Sequence, residues 1–166
     1  INGGATIITR TCLYGDGVDD YMQAAAFSLS QPETVFFVGQ QVTNTVSDSL
    51  LDGGSNGTLS ISQTGTTSEI LINAGTSLGN LTPGLQTASV LSGVFNSTSS
   101  VFRNNRGVAL TGNAGTGTPN GITLFAQPTP ANYANATASE IAIYSAALDT
   151  AGQDHVIGVL QRKWRI

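Results

Sequence analysis

The densest group of chemically capable side chains is Asp16-Gly17-Val18-Asp19-Asp20. Carboxylate oxygens gathered in a glycine-containing loop suit a hard cation such as calcium. Asp16, Asp19 and Asp20 are therefore the calcium candidates, with Asp48 and Asp52 as potential partners from another loop. The spacing is not that of an EF-hand, whose longer loop closes on a glutamate. Aspartate beside glycine more commonly forms turns, so neither a tightly held ion nor any other cofactor is expected.

The remaining catalytic inventory is thin. His155, the only histidine, falls beside the apolar stripe of a predicted helix and reads as a structural or solvated residue. Cys12 is the only cysteine. It allows no intrachain disulfide, and no base accompanies it in the pattern. Glycoside hydrolysis needs two carboxylates flanking the bond, whereas Glu33, Glu69 and Glu140 are each isolated. No Gly-x-Ser-x-Gly elbow, phosphate-binding loop or His-Glu-x-x-His occurs. The expectation is a domain that does no catalysis, with a polysaccharide hydrolase as the remote alternative. Asn132, Tyr133 and Asn135 are the ligand-binding candidates, because tyrosine offers a stacking face and asparagine pairs a donor with an acceptor.

These side chains need a scaffold, and 166 residues are enough for one domain with a sizeable core. Only 10% of residues are charged, and glycine, serine, threonine and asparagine fill the gap. Such residues supply turn conformations and local hydrogen bonds, as expected of short strands joined by many turns. A mean hydropathy close to zero opposes disorder. The net charge of −4 opposes a nucleic-acid partner, and Arg162, Lys163 and Arg165 read as a solvated helix end. No apolar run reaches membrane-spanning length. The chain opens on Ile1 without a recognisable targeting signal, which points to a fragment or a processed product. Four N-x-Ser/Thr sequons, at Asn56, Asn80, Asn96 and Asn135, are unremarkable in so Ser/Thr-rich a chain.

Strand signals dominate. Thr34-Val35-Phe36-Phe37-Val38 reads as a central strand buried on both faces. Alternation over 58–62 predicts a half-buried strand, and further strands are expected over 69–73, 87–95, 122–125 and 140–144. Residues 100–103 and 106–110 read as a hairpin around Asn104-Asn105-Arg106-Gly107. The stretch 112–121 reads as a long loop. Near the end, Asp149 is a good N-cap, and Val156, Ile157, Val159, Leu160 and Trp164 recur at helical spacing. A short helix is expected from Thr150 to about Trp164, despite the cost of Gly152 and Gly158. Strand–helix alternation is absent, so the pattern predicts an all-β sandwich. Ala5-Thr6-Ile7-Ile8-Thr9 has strand character without charge or proline, and is expected at a sheet edge or against a neighbouring subunit.

Two segments resemble a known family. Leu13-Tyr14-Gly15-Asp16-Gly17-Val18-Asp19-Asp20-Tyr21-Met22 is similar to the opening motif of concanavalin A-like lectin/glucanase domains of the laminin G-like branch. Residues 139–149 resemble that branch's closing strand, and Val159-Leu160-Gln161-Arg162-Lys163-Trp164-Arg165-Ile166 its terminal helix. Tyr14 stands where the family usually has phenylalanine and Arg165 where it has glycine, and the acidic motif of the glycosidase members has no counterpart. The resemblance implies one two-sheet antiparallel jelly-roll sandwich with a short C-terminal helix over 1–166. It implies a glycan or protein surface as partner, or neighbouring subunits of an assembly. The composition is similar to that of domains on phage fibres and decoration proteins. The expected role is thus surface adhesion or carbohydrate binding, outside the cell or on a virion, with a purely structural decoration protein as the alternative.

Overall fold

The computed structural model describes residues 11–55, 58–65 and 68–166. The expectation for residues 5–9 lies outside the described residues. In chain order the strands are β1 (Leu13–Asp16), β2 (Met22–Gln23), β3 (Glu33–Gln41), β4 (Ser49–Asp52), β5 (Ser60–Gln63) and β6 (Ile70–Asn73). They continue with β7 (Ser77–Leu81), β8 (Ser89–Phe95), β9 (Ser100–Asn104), β10 (Leu110–Gly112), β11 (Thr123–Leu124) and β12 (Asn135–Tyr144), followed by helix α1 (Thr150–Trp164). Two six-stranded sheets form, β1-β12-β3-β8-β9-β10 and β2-β11-β4-β5-β6-β7. All their strand pairs are antiparallel.

β3 organises the packing. Val35 and Phe37 point between the sheets, where they meet Leu51, Ile61, Ile72, Leu91 and Phe102. Phe36 and Val38 point the other way and, with Val90, receive Ile157 and Leu160 of α1. A strand's side chains alternate between faces, so one uninterrupted apolar run serves both layers. The helix has the predicted bounds. The Asp149 carboxylate accepts from the Gly152 N–H at 2.8 Å, and Arg165 closes the other end in left-handed backbone, φ 57°. The Trp164 indole N–H donates to Glu140 Oε2 at 2.6 Å, and Lys163 Nζ lies 2.7 Å from the same oxygen. Burial opposes ionisation of Glu140, but Lys163 and Trp164 together hold its carboxyl below the usual range.

Several boundaries differ from the sequence expectation. The expected strand over 106–110 is mostly loop, and only Leu110–Gly112 pairs with β9. Asn105 does take positive φ, at 52°. The closing strand begins at Asn135, not 140, so Asn135 is a strand residue and not a loop residue. β4 and β7 carried no recognised signal. In β4, Leu50 and Leu51 are both buried because a bulge inserts an extra residue opposite β5, which breaks the alternation a strand is recognised by.

Glu33 is fully buried at the start of β3, and neither carboxyl oxygen finds a hydrogen-bond partner among the described residues. Burial pushes its pKa from 4.5 up to about 7. Between these values the folded chain binds more protons than the unfolded one, so unfolding free energy falls as pH rises through that window. The contribution is complete below 4.5 and gone above about 7. Relative to Glu33→Gln, the native chain is expected to lose about 3 kcal/mol between pH 4.5 and 7. Urea denaturation of both proteins across that range measures it, and parallel stability curves would refute the assignment.

Candidate functional site

Residues directly opposite across antiparallel strands share a face. In the second sheet, Met22, Leu124, Leu51, Ile61, Ile72 and Leu78 are paired neighbour to neighbour, and from Leu124 to Leu78 this row is buried. The adjacent row, on the opposite face, is Gln23, Thr123, Asp52, Ser60, Asn73 and Ser77. A polar row therefore crosses all six strands on the side away from the core. Gln23 Nε2 donates to Thr123 Oγ1 at 3.2 Å, and Asn73 Nδ2 donates to Ser77 Oγ at 3.0 Å. Asp52 Oδ1 accepts from the Gly53 N–H at 2.7 Å.

This face forms a shallow groove of about 220 Å³, lined by Ser47, Asp52, Ser60, Ser62, Gln63, Leu71, Asn73, Ser77 and Gln127. The middle of the polar row is buried: Thr123, Asp52 and Ser60 are 0%, 2% and 4% exposed, and of these Asp52 and Ser60 line the groove. One end is anchored by an amide network between the sheets. Gln63 Nε2 donates to Gln41 Oε1 at 2.9 Å, and Asn44 Nδ2 donates to the same oxygen at 2.9 Å. An unpaired buried amide costs about 1–3 kcal/mol, so this network holds the end of β3 and β5 in register.

The loop over 127–133 forms the neighbouring wall. The Gln127 N–H donates to the Ala131 carbonyl at 3.0 Å, and the Ser49 N–H to the Asn132 carbonyl at 3.1 Å. Pro128, Pro130 and Asn132, the last at φ 51°, supply its turns. Tyr133 bridges to Ser49, and its ring lies 6.5 Å from that of Tyr21, tilted by 50°. Asn135 follows within β12, where it pairs with Asp16 and its backbone carbonyl accepts from the Val42 N–H at 2.8 Å. Its Oδ1 is buried without a partner. The structure thus gathers Asn132, Tyr133 and Asn135 at one end of the sandwich. Sequence reasoning missed the polar floor beside them. The signal was present in the alternation of Ser60, Ile61, Ser62 and Gln63, which marks one polar face.

Two carboxylates of the acidic loop accept backbone hydrogen bonds within it. Asp16 Oδ1 accepts from the Val18 N–H at 2.8 Å, and Asp20 Oδ2 accepts from the Asp16 N–H at 3.3 Å. Gly17 takes φ 83° as the loop turns over Asn135. The carboxylates of Asp16 and Asp20 thus work as turn formers, while Asp48 and Asp52 belong to the β4 region. Burial pushes the Asp48 carboxyl up, against a hydrogen bond from Thr45 that lowers it. Among the described residues no three histidine, cysteine or acidic side chains gather as a ligand set.

The carboxylates are also scattered with respect to hydrolysis. Glu33 lies inside one end of the sandwich, Glu140 against the helix, and Glu69 Oε2 accepts from Asn80 at 3.2 Å. The groove contains a single carboxylate, Asp52, where a glycosidase needs two. His155 and Cys12 are exposed.

No protein-family model matches the chain, and no curated protein matches it. Solved structures do. The chain is similar to a Trypanosoma rangeli sialidase, with a TM-score of 0.62 at 13% identity, over 92% of this chain and 27% of that one. It is similar to the heptameric SAP-like pentraxin of Limulus polyphemus, with a TM-score of 0.64 at 7% identity, over 87% of this chain and 80% of that one. It is also similar to the CBM40 of the Ruminococcus gnavus IT-sialidase, with a TM-score of 0.55 at 10% identity, over 84% of this chain and 96% of that one. The fold is a two-sheet antiparallel jelly-roll sandwich with a short C-terminal helix. The chain spans about a quarter of the sialidase's length.

Because Asp16 and Asp20 are committed to their own loop, calcium is expected to leave the melting temperature unchanged in differential scanning calorimetry. A rise of several degrees that Asp19→Ala abolishes would overturn this.

Proposed function

We propose that this domain is a non-catalytic carbohydrate-binding module of the concanavalin A-like, laminin G-like type, acting in adhesion at a cell or virion surface. The observation that carries the reading is the polar row from Gln23 to Ser77 on a face that no described helix covers. A sheet face left to water needs polar residues, but not a recessed floor of them. Short hydroxyl, amide and carboxylate side chains fixed on strands offer donors and acceptors at set spacings, as sugar hydroxyls require. In this reading Asn132 and Tyr133 add contacts from the loop that follows Gln127, and Tyr21, whose ring neighbours that of Tyr133, adds a second ring for stacking. Asn135 follows them in β12, with its side-chain oxygen buried. The fold shared with a sialidase's CBM40, a carbohydrate-binding module, agrees with this reading, as does the single carboxylate of the groove.

A second reading, a structural decoration protein, is favoured by one observation. Leu13, Tyr14, Val18, Tyr21 and Met22 are all exposed along 13–22, at the edges of both sheets. An apolar patch of this kind suits contact with a neighbouring subunit. Nucleic acid and membrane are not partners in either reading.

A glycan array followed by isothermal titration calorimetry tests the proposal. Ser62→Tyr, which fills the groove, and Gln127→Ala, which removes an amide from its wall, are each expected to weaken glycan binding at least tenfold with the melting temperature retained. Absence of any glycan bound at millimolar concentration, or binding indifferent to both substitutions, would reject it.

A further inference from the structure

Every lysine and arginine among the described residues lies on the side of the molecule away from the groove, on β9, the loop after it, or α1 and its C-cap. Three of the arginines converge. Arg103 is 5% exposed and reaches Asp154 at 2.9 Å, yet its buried Nη1 has no hydrogen-bond partner. Arg106 crosses the same helix turn and donates to the Asp154 backbone carbonyl at 3.0 Å. Its guanidinium lies against Gly158, and Arg162 Nη1 is 3.4 Å from the point where a Gly158 Cβ would sit. Neither Arg106 nor Arg162 has an ion pair among the described residues. Asp154 is the one carboxylate at the cluster, and Arg103 already engages it.

Gly158 is the telling residue. Glycine inside a helix costs about 1 kcal/mol relative to alanine, and a Cβ here would require the Arg106 guanidinium, the flexible end of its side chain, to move off the helix. The glycine gives up helix stability and makes room for a second cation beside Arg162. Like charges held together repel one another. An oxyanion between Arg106 and Arg162 relieves their repulsion.

We propose that Arg106 and Arg162 form an anion-binding site on the outer surface of α1, which takes the sulfate or carboxylate group of an acidic polysaccharide. Guanidinium forks match oxyanion geometry with paired N–H donors. The two guanidiniums meet at Gly158, which suits a single charged substituent. A strand of regularly spaced phosphates would need a longer basic track. The polysaccharide as carrier rests on the carbohydrate-binding reading above, whereas the anion site stands on the arginine geometry alone.

Calorimetric titration with sodium sulfate at constant ionic strength tests the site directly. One saturable sulfate per chain is expected, weakened at least tenfold by Arg106→Gln and by Arg162→Gln, and unaffected by Gln127→Ala. Gly158→Ala keeps every charge and improves helix propensity, but displaces Arg106. It is expected to weaken sulfate binding severalfold without lowering the melting temperature. Dextran sulfate should bind more tightly than free sulfate, and uncharged dextran should not bind at this face. A non-saturable response, or one that survives both arginine substitutions, is the general stabilisation that sulfate gives proteins and overturns the site. Saturable sulfate binding without tighter binding of dextran sulfate overturns the polysaccharide as carrier.

Discussion

The architecture depends on β3 being apolar on both faces. Val35 and Phe37 must be buried between the sheets, and Phe36 and Val38 must be buried on the other side. A second sheet satisfies the first demand and α1 the second. Leaving a large aliphatic or aromatic side chain in water forgoes about 1.5–3 kcal/mol, so the helix cannot be detached without exposing Phe36, Val38 and Val90 together. The ends of the helix are tied down as well. The Thr34 hydroxyl donates to the Ala146 carbonyl at 2.7 Å and accepts from the Leu148 N–H at 3.0 Å, which fixes the turn into α1. The side that carries the helix is thus decided by β3, and the polar row of the other sheet lies on the side away from it.

How much of this could be read in advance follows from the same physics. β3 and α1 were legible because their signals are long and local: a β-branched and aromatic run in one case, a helical apolar stripe with an aspartate cap in the other. β2 and β11, two residues each, are defined by their neighbours, and no local pattern marks so short a strand. β4 was hidden by its bulge. The tyrosines at 21 and 133 are far apart in sequence, and their rings meet only because β2, β11 and β4 lie side by side. Asn132 and Tyr133 were recognisable as binding chemistry by residue type, but not the floor beside them. Ser60, Asn73, Asp52 and Thr123 come from four separate strands, so only the register makes them one row.

Charge separates along the same division. The chain carries a net charge of −4, yet the described cations lie with the helix, while Asp16, Asp19, Asp20, Asp48 and Asp52 lie away from it. Two of the cations are spent on structure: Arg103 on Asp154, and Lys163 on Glu140 beneath Trp164. These pairs help to position α1, and the remaining guanidiniums are held close together as a consequence of that positioning. Glu140, Asp149 and Asp154 offset part of that positive charge at the helix.

The groove's modest volume decides what kind of recognition it can support. Enclosed small-molecule sites commonly occupy about 300–1,000 Å³, and 220 Å³ on an open sheet falls below that range. A ligand lying there keeps one side in water, so little of the binding free energy comes from burial of area. Hydrogen-bond geometry has to supply the selectivity instead. Here the composition of the floor matters. Serine, threonine, aspartate and asparagine have few rotatable bonds and lose little side-chain entropy on being ordered, unlike lysine, arginine or glutamine. Several are already held, as Asn73 is by Ser77 and by the Gly75 N–H at 2.7 Å. A floor ordered before the ligand arrives avoids most of the cost that immobilising longer side chains imposes on binding. Shallow, polar and preorganised, the face is suited to reading a short stretch of an extended chain laid across the strands.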